Sequence, residues 1–239
     1  MNGLIPNMLA DFVLTNPQEQ QTLELILSRR LPFPFNGKSG ILLHGVWGTG
    51  KTTLAHVLPG LLETAYEGNY NTALGVSKMP AAMDHLHCAD YNCGATTITK
   101  ISAMVQSTNQ RMPIFHLSQH DYVVLDEVDR LSKDAQQSLR GLMDLKRVMY
   151  FMTTNSLGKV DPAVIDRCHL VEMNQPTNPA LYMPFVQQVE QHMSVPVGTI
   201  SMSQAEEMSK SARGSMRELS NHVVNYCLAQ GGSMPAPVV

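Results

Sequence analysis

The chain has 239 residues, 44% of them hydrophobic and 15% charged, with a formal net charge of −3. That length accommodates one large domain or a core domain with a small appendage, and the balance describes a soluble globular protein. No run approaches the apolar length that spans a bilayer, and Met1 to Ala10 lacks the basic start and apolar core of a signal peptide, so the expectation is an intracellular, cytoplasmic protein. The small net charge offers no global attraction to nucleic acid, and any DNA binding would need a local concentration of Lys and Arg. Cys88, Cys93, Cys168 and Cys227 include no C-x-x-C pair, which fits buried thiols in a reducing compartment.

Asn16-Pro17-Gln18-Glu19 spells a helix start, with Asn16 as cap, Pro17 in the first turn and Glu19 placed to bond back to the cap. Phe12, Val13 and Leu14 lie before it, where they could pack on a nucleotide base or on the core. Leu23, Ile26 and Leu27 share one helix face, and the Pro/Gly-rich segment from Leu31 to Gly40 leads into a strand at Ile41 to His44.

Gly45-Val46-Trp47-Gly48-Thr49-Gly50-Lys51-Thr52 follows that strand and fits G-x-x-x-x-G-K-[ST], with a helix-forming run from Thr53 to Leu58 after it. The glycines let the main chain curl until its N–H groups converge on a polyphosphate. Lys51 would reach the β- and γ-phosphates, the Thr52 hydroxyl would join a Mg²⁺ shell, and the helix would point its positive end at the anion. The pattern points to Mg-ATP or Mg-GTP, held by residues 45 to 53, Thr53 included.

Residues 67 to 79 are polar and rich in Gly and Asn, and predict a loop. A weakly signalled strand follows at His85 to Ala89. His85, His87, Cys88 and Cys93 raise a zinc site, but strand alternation divides them between two faces and their spacing matches no standard zinc pattern. Ile98, Ile101 and Val105 predict a helix to about Asn109.

Tyr122-Val123-Val124-Leu125-Asp126-Glu127 describes a buried parallel strand carrying two acids to its C-terminal end, where ligands sit in open α/β sheets. Asp126 would hold Mg²⁺ and Glu127 would orient and deprotonate the attacking water. A helix is predicted from Asp134 to Leu145, then an apolar strand from Val148 to Met152 ending in Thr153-Thr154-Asn155. The Asn155 amide could bond the γ-phosphate and water, or merely cap the strand. Asp161 to Cys168 predicts a short helix exposing Arg167, and His169 to Met173 a fifth strand. Strands alternating with helices imply a parallel α/β sheet. Three helical runs without strands follow (179–193, 203–212 and 215–229), so the expected organisation is a nucleotide-binding domain over 1–174, a helical domain over 175–230 and a disordered tail over 231–239.

In this order, the phosphate loop, Asp126-Glu127, Asn155, Arg167 and Gly214-Ser215-Met216-Arg217-Glu218-Leu219 resemble an AAA+ ATPase. Leu86-His87-Cys88-Ala89-Asp90-Tyr91-Asn92-Cys93-Gly94, Leu125-Asp126-Glu127-Val128-Asp129 with Asp134 to Arg140, and Asp161 to Cys168 resemble segments of a small subunit of the replication factor C type of sliding-clamp loader. The resemblance covers roughly residues 10 to 230 and implies a P-loop αβα sandwich with a five-stranded parallel sheet and a small helical lid.

It also implies ATP and Mg²⁺ as ligands, Asn155 as a first sensor of the γ-phosphate and Arg217 as a second sensor reaching from the lid. Arg167 becomes an arginine finger serving the neighbouring subunit's site, so the partner is the chain itself or a related AAA+ subunit in a ring or spiral. A surface ion pair with Asp166 is the plainer role for Arg167, and a solvated helix position for Arg217. DNA follows as a second partner, with Thr96, Thr97 and Lys100 as phosphate contacts or as an ordinary capped helix start, and a sliding clamp or another replication protein as cargo.

The chain departs from the family in several places. The usual Pro-Pro after the first loop glycine is Val46-Trp47, Asp166 stands beside Arg167, and no N-terminal W-x-x-K-Y-R-P element occurs. The sequence ends just after the lid where clamp-loader subunits continue into a collar. That leaves two expectations: an ATP-hydrolysing loader of a replication protein, nucleoid- or DNA-associated, or an ATP-gated recruitment module such as a helicase loader or a transposition or defence regulator. A catalytically dead scaffold is weaker, because every hydrolytic position is filled.

Overall fold

The computed structural model describes residues 6–68, 80, 83–91, 96, 99–100, 102–103, 117–145, 147–174, 176 and 178–233. Among them, β1 (Gly40–His44), β2 (Asp84–His87), β3 (Asp121–Asp126), β4 (Val148–Thr154) and β5 (Cys168–Glu172) form one sheet in the order β2-β3-β4-β1-β5. Every pairing is parallel, with Gly40 beside both Tyr150 and Cys168, and Asp121 beside Val148. In a parallel sheet all strands end on the same edge, so the residues after β1, β3 and β4 are brought together there.

Side chains alternate across the sheet and divide the core into two layers. Ile41, Leu43, Tyr122, Val124 and Phe151 face α1 (Pro17–Leu27) and α2 (Lys51–Tyr66). Leu42, Val123, Leu125, Tyr150 and Met152 face α3 (Lys133–Met143) and the short α4 (Pro162–Asp166). The helices α5 (Met183–His192), α6 (Met202–Ser211) and α7 (Met216–Ala229) build a third core of their own, to which Val13 adds a partly buried side chain.

Several local expectations need correction. The helix after the phosphate loop, signalled by the run Thr53 to Leu58 and bounded by the loop predicted from residue 67, spans Lys51 to Tyr66 and passes through Pro59. An interior proline costs about 3 kcal/mol, but Leu61 and Leu62 beyond it are buried, and each such leucine contributes about 1.5–3 kcal/mol. Burial wins. Glu19 does not return to its cap: Asn16 alone accepts from Gln18 N, while Glu19 Oε2 accepts from Glu172 N at 2.5 Å and ties α1 to the end of β5. The helix expected over 179–193 is broken at Tyr182 into a 3-10 turn (Pro179–Leu181) and α5, because Pro184 in the first turn of α5 has no N–H to continue the ladder.

Candidate nucleotide site

The C-terminal edge of the sheet opens into a cavity of about 180 Å³ lined by residues 47 to 53 with Asp126, Glu127, Thr153, Asn155 and Arg217. Its floor is the phosphate loop. Gly48 has φ of 73° and Gly50 φ of 91°, the left-handed region that glycine enters without strain. Gly50 caps α2, so the N-terminus of that helix points into the cavity. At Gly48 a Cβ would also run into Ser215 Oγ, and Gly48 O accepts from Arg217 N at 2.9 Å. The start of α7 therefore rests directly on the loop, which is how Arg217 reaches the cavity.

Gly45 and Val46, expected among the nucleotide-binding residues, do not line the cavity. Gly45 lies against Met173 and Asn174, and Val46 N donates to Asn174 Oδ1 at 2.9 Å. They anchor the loop to the chain leaving β5. Lys51 Nζ donates to Val46 O at 2.5 Å and lies 3.5 Å from Thr49 Oγ1, folded over the loop where a phosphate would sit. Burial lowers the Lys51 pKa, opposed by the nearby carboxylates of Asp126, Asp129 and Glu127.

Thr52 Oγ1 donates to Asp126 at 3.0 and 3.2 Å to its two oxygens. A hydroxyl beside a carboxylate, with no sulfur donor, suits a hard cation such as Mg²⁺, which takes one or two protein oxygens and completes its shell with phosphate and water. Asp126 is also bonded by the Thr153 hydroxyl, and that same Oγ1 accepts from Glu127 N at 3.0 Å. Glu127 adopts φ of 57°, unusual outside glycine and confined largely to turns and functional sites. Its Oε1 accepts from Asn155 Nδ2 at 3.3 Å and its Oε2 lies 3.7 Å from Arg130 Nε. Asp129 holds the Asn155 end of β4, accepting from Thr154 Oγ1 at 2.8 Å and Asn155 N at 3.2 Å.

Thr153, Asp129 and Asn174 were given no role in the sequence. Thr153 carried a weak signal as a polar residue at a strand end, but its place beside Asp126 follows only from the pairing of β3 with β4, which sets Leu125 next to Met152. Asn174 carried none.

Arg167 is elsewhere. It lies at the opposite edge of the sheet, where its carbonyl accepts from Ser39 N and Gly40 N at the start of β1. Its guanidinium bonds Asp144 at 2.9 and 3.4 Å and Ala163 O at 3.0 Å, so its ion pair is with Asp144 and not with Asp166, the alternative partner considered from the sequence. Thr96 is exposed and Lys100 partly exposed in a helical stretch, while Thr97 lies outside the described residues. Among the described residues no three His, Cys, Asp or Glu side chains are grouped to hold a metal, and Cys93 is outside that set. His85 packs edge-on to His56 at 4.5 Å, and Cys88 is buried. No described helix is long and apolar enough to cross a membrane.

Curated relatives include mouse replication factor C subunit 3, 28% identical over an alignment of 151 residues, with 57% of this chain and 42% of that protein covered. The chain thus spans less than half the length of that relative. Similar solved structures include a variant of Thermotoga maritima RuvB, with TM-score 0.62 and 18% identity over 96% of this chain and 69% of the other. Another is a DNA polymerase III gamma subunit-related protein from the same organism, with TM-score 0.54 and 15% identity over 87% of this chain and 57% of the other. The model for the ATPase family associated with various cellular activities matches residues 41–175, from β1 to just beyond β5. Since that match takes in more than half of the sequence and the whole of the sheet that builds the cavity, the chain belongs to the AAA family of ATPases.

Proposed function

We propose that this protein binds Mg-ATP in the cavity above α2, hydrolyses it with help from an adjacent copy, and uses the cycle on DNA to load or remodel a replication protein, a sliding clamp first. The observation that carries this is the convergence of Lys51, Thr52, Asp126, Glu127, Asn155 and Arg217 on one cavity, while Arg167 stands at the far edge of the same sheet. The similarity to replication factor C subunit 3 supports the choice of cargo.

Each residue has a defined task. Lys51 exchanges its bond to Val46 O for the β- and γ-phosphate oxygens, and the N-terminal N–H groups of α2 complete the phosphate cradle. Thr52 and Asp126 hold Mg²⁺, which when bound offsets charge on the transferring phosphoryl group. Glu127 orients the attacking water and takes its proton, and the Asn155 amide, 3.3 Å from that carboxylate, fixes its direction. Residues 175–230 act as a lid whose state is tied to the loop through Arg217 N and Gly48 O. Arg167 cannot serve its own cavity from the opposite edge, so it completes a neighbour's site. Thr96, Thr97 and Lys100 contact DNA phosphates, and the working location is the DNA-associated cytoplasm or nucleoid.

The test is ATP turnover and particle mass with and without duplex DNA. Lys51→Ala should abolish nucleotide binding, and Glu127→Gln should bind ATP, persist as the assembly and turn over about 10²–10⁴-fold more slowly. Wild-type turnover in Glu127→Gln would refute the mechanism. Capture of a helicase or transposase in place of a sliding clamp would move the cargo to the recruitment class. Lys100→Ala should weaken DNA binding and reduce its salt slope by about one.

A further inference from the structure

The parallel register of β2 with β3 places His87 beside Asp126, as it places His85 beside Val124 and Leu86 beside Leu125. Alternation along β2 sends Leu86 with Leu125 into the layer under α3 and α4, and turns His85 and His87 to the α2 face. The ring of His85 packs there against His56 of α2. His87 therefore faces the same way as Asp126, and its Nε2 lies 3.8 Å from Asp126 Oδ2, while its Nδ1 is buried. The two carboxylate oxygens have different neighbours. Oδ1 accepts from the Thr153 hydroxyl and, at 3.0 Å, from Thr52 Oγ1, whereas Oδ2 lies 3.2 Å from Thr52 Oγ1 and has the imidazole as its further neighbour. A neutral imidazole carries one N–H on either nitrogen, and a carboxylate next to Nε2 favours placing it there. At 3.8 Å the contact is too long for a hydrogen bond, and a ring shift of about 0.8 Å brings it to the ordinary N–H···O separation of about 3.0 Å. His87 does not line the cavity, so it can act there only through Asp126.

We infer that His87 is a positioning residue for the cation: it braces the Oδ2 side of Asp126 and thereby sets how firmly Mg²⁺ is held with the nucleotide. The inference rests on the reading that Asp126 holds Mg²⁺. The sheet order β2-β3-β4 supplies the bracket, because Thr153 reaches Asp126 from the strand on one side of β3 and His87 from the strand on the other. A carboxylate left to rotate must be ordered by the cation at a cost in conformational entropy. Held at both oxygens, Asp126 meets the cation already oriented. Groups that support a metal-holding side chain without touching the metal matter to this degree elsewhere, and their loss lowers metal affinity about 10–100-fold.

The test reads binding, not turnover. Affinity for a non-hydrolysable ATP analogue is measured in Mg²⁺ and again in EDTA, for the wild-type chain, His87→Ala, His87→Gln, Asp126→Asn and the double variant carrying His87→Ala with Asp126→Asn. Glutamine keeps an N–H donor at about the reach of the imidazole Nε2. The expected result is that His87→Ala binds the analogue about tenfold more weakly in Mg²⁺ and as the wild type does in EDTA, with His87→Gln recovering most of the loss. Asp126→Asn should lose the gain from Mg²⁺ outright, and adding His87→Ala to it should change nothing further. Undiminished binding of His87→Ala in Mg²⁺, an equal loss in EDTA, no recovery in His87→Gln, or a further loss in the double variant overturns the bracing role and leaves Asp126 as the cation's holder. A full gain from Mg²⁺ in Asp126→Asn overturns that reading and the bracing role with it.

Discussion

At the C-terminal edge of the sheet the polar groups are packed for exchange: Lys51 sits on a loop carbonyl, Thr52 on Asp126, and Asn155 on Glu127, each bond replaceable by a ligand oxygen. At the N-terminal edge Arg167 is clamped by Asp144 and the Ala163 carbonyl, and no acid of the cavity is within its contacts. One edge is organised to receive a ligand, whereas the other holds a cation outside the cavity, bound to a carboxylate and a carbonyl of its own edge. The difference teaches that residues of one sheet need not share one site: reach across the sheet decides which polar groups can act together.

The sharpest way to break this comparison is Arg167→Ala. Nucleotide affinity of the single copy should be unchanged, while turnover in the assembly should fall about 10³-fold, as measured by steady-state phosphate release. Equal loss of binding would place Arg167 in its own cavity and erase the distinction between the edges.

Thr153→Val tests the receiving edge at a cavity-lining hydroxyl whose bonds run to Asp126 and Glu127 N. The change removes the hydroxyl between Asp126 and Glu127 N. Turnover should drop about 10–100-fold with a higher Mg²⁺ requirement, since a supporting bond to a ligand-holding carboxylate is lost. Turnover and Mg²⁺ dependence equal to wild type would show that Asp126 is positioned without it.

The pH dependence of stability separates the core from both edges. Burial holds His56 below its ordinary value, with His85 adding to the effect, and burial also lowers His120 and His169. The folded state prefers these rings neutral, so the unfolded chain binds more protons as pH falls through about 6.5, and stability declines in that direction. Glu63 acts lower down. Burial raises its pKa, but bonds from Tyr122 OH, Leu117 N and Ser118 outweigh that and leave it below the usual carboxylate value. Its contribution is present above the unfolded value of about 4.3 and is lost as pH falls below it. Melting temperature should therefore fall from pH 8 to 6 and again below pH 4, and a flat profile between 8 and 6 would contradict the neutral histidines.

The smallest effect is expected at Asp144→Asn. The pair with Arg167 is partly exposed, with Asp144 the more open partner at 61%, so melting should report a loss of no more than about 1 kcal/mol. A larger loss would show that Asp144 builds the N-terminal edge instead of merely holding Arg167.

Much of the fold was legible because its signals are local. Val123-Val124-Leu125 and Met149-Tyr150-Phe151 are apolar runs that only a doubly covered strand tolerates. What carries α2 through Pro59 was not legible, because the burial of Leu61 and Leu62 beyond the proline exists only in the folded core. The partner of Glu19 was not legible for a similar reason: its bond to Glu172 N joins residues 153 apart.

The phosphate loop could be recognised from the sequence alone because a polyphosphate is gripped by consecutive backbone N–H groups, and the glycines permitting that curl must be consecutive too. The same holds for acids that end an apolar strand. Which of these groups meet was decided by tertiary structure, since strand order sets Thr153 against Asp126, the Asn174 amide behind Val46, and Arg167 on Asp144 at the edge away from the cavity. Pairing between strands carries no mark in the order of residues, and it is pairing that divides one chain's polar groups between the cavity and the opposite edge of the sheet.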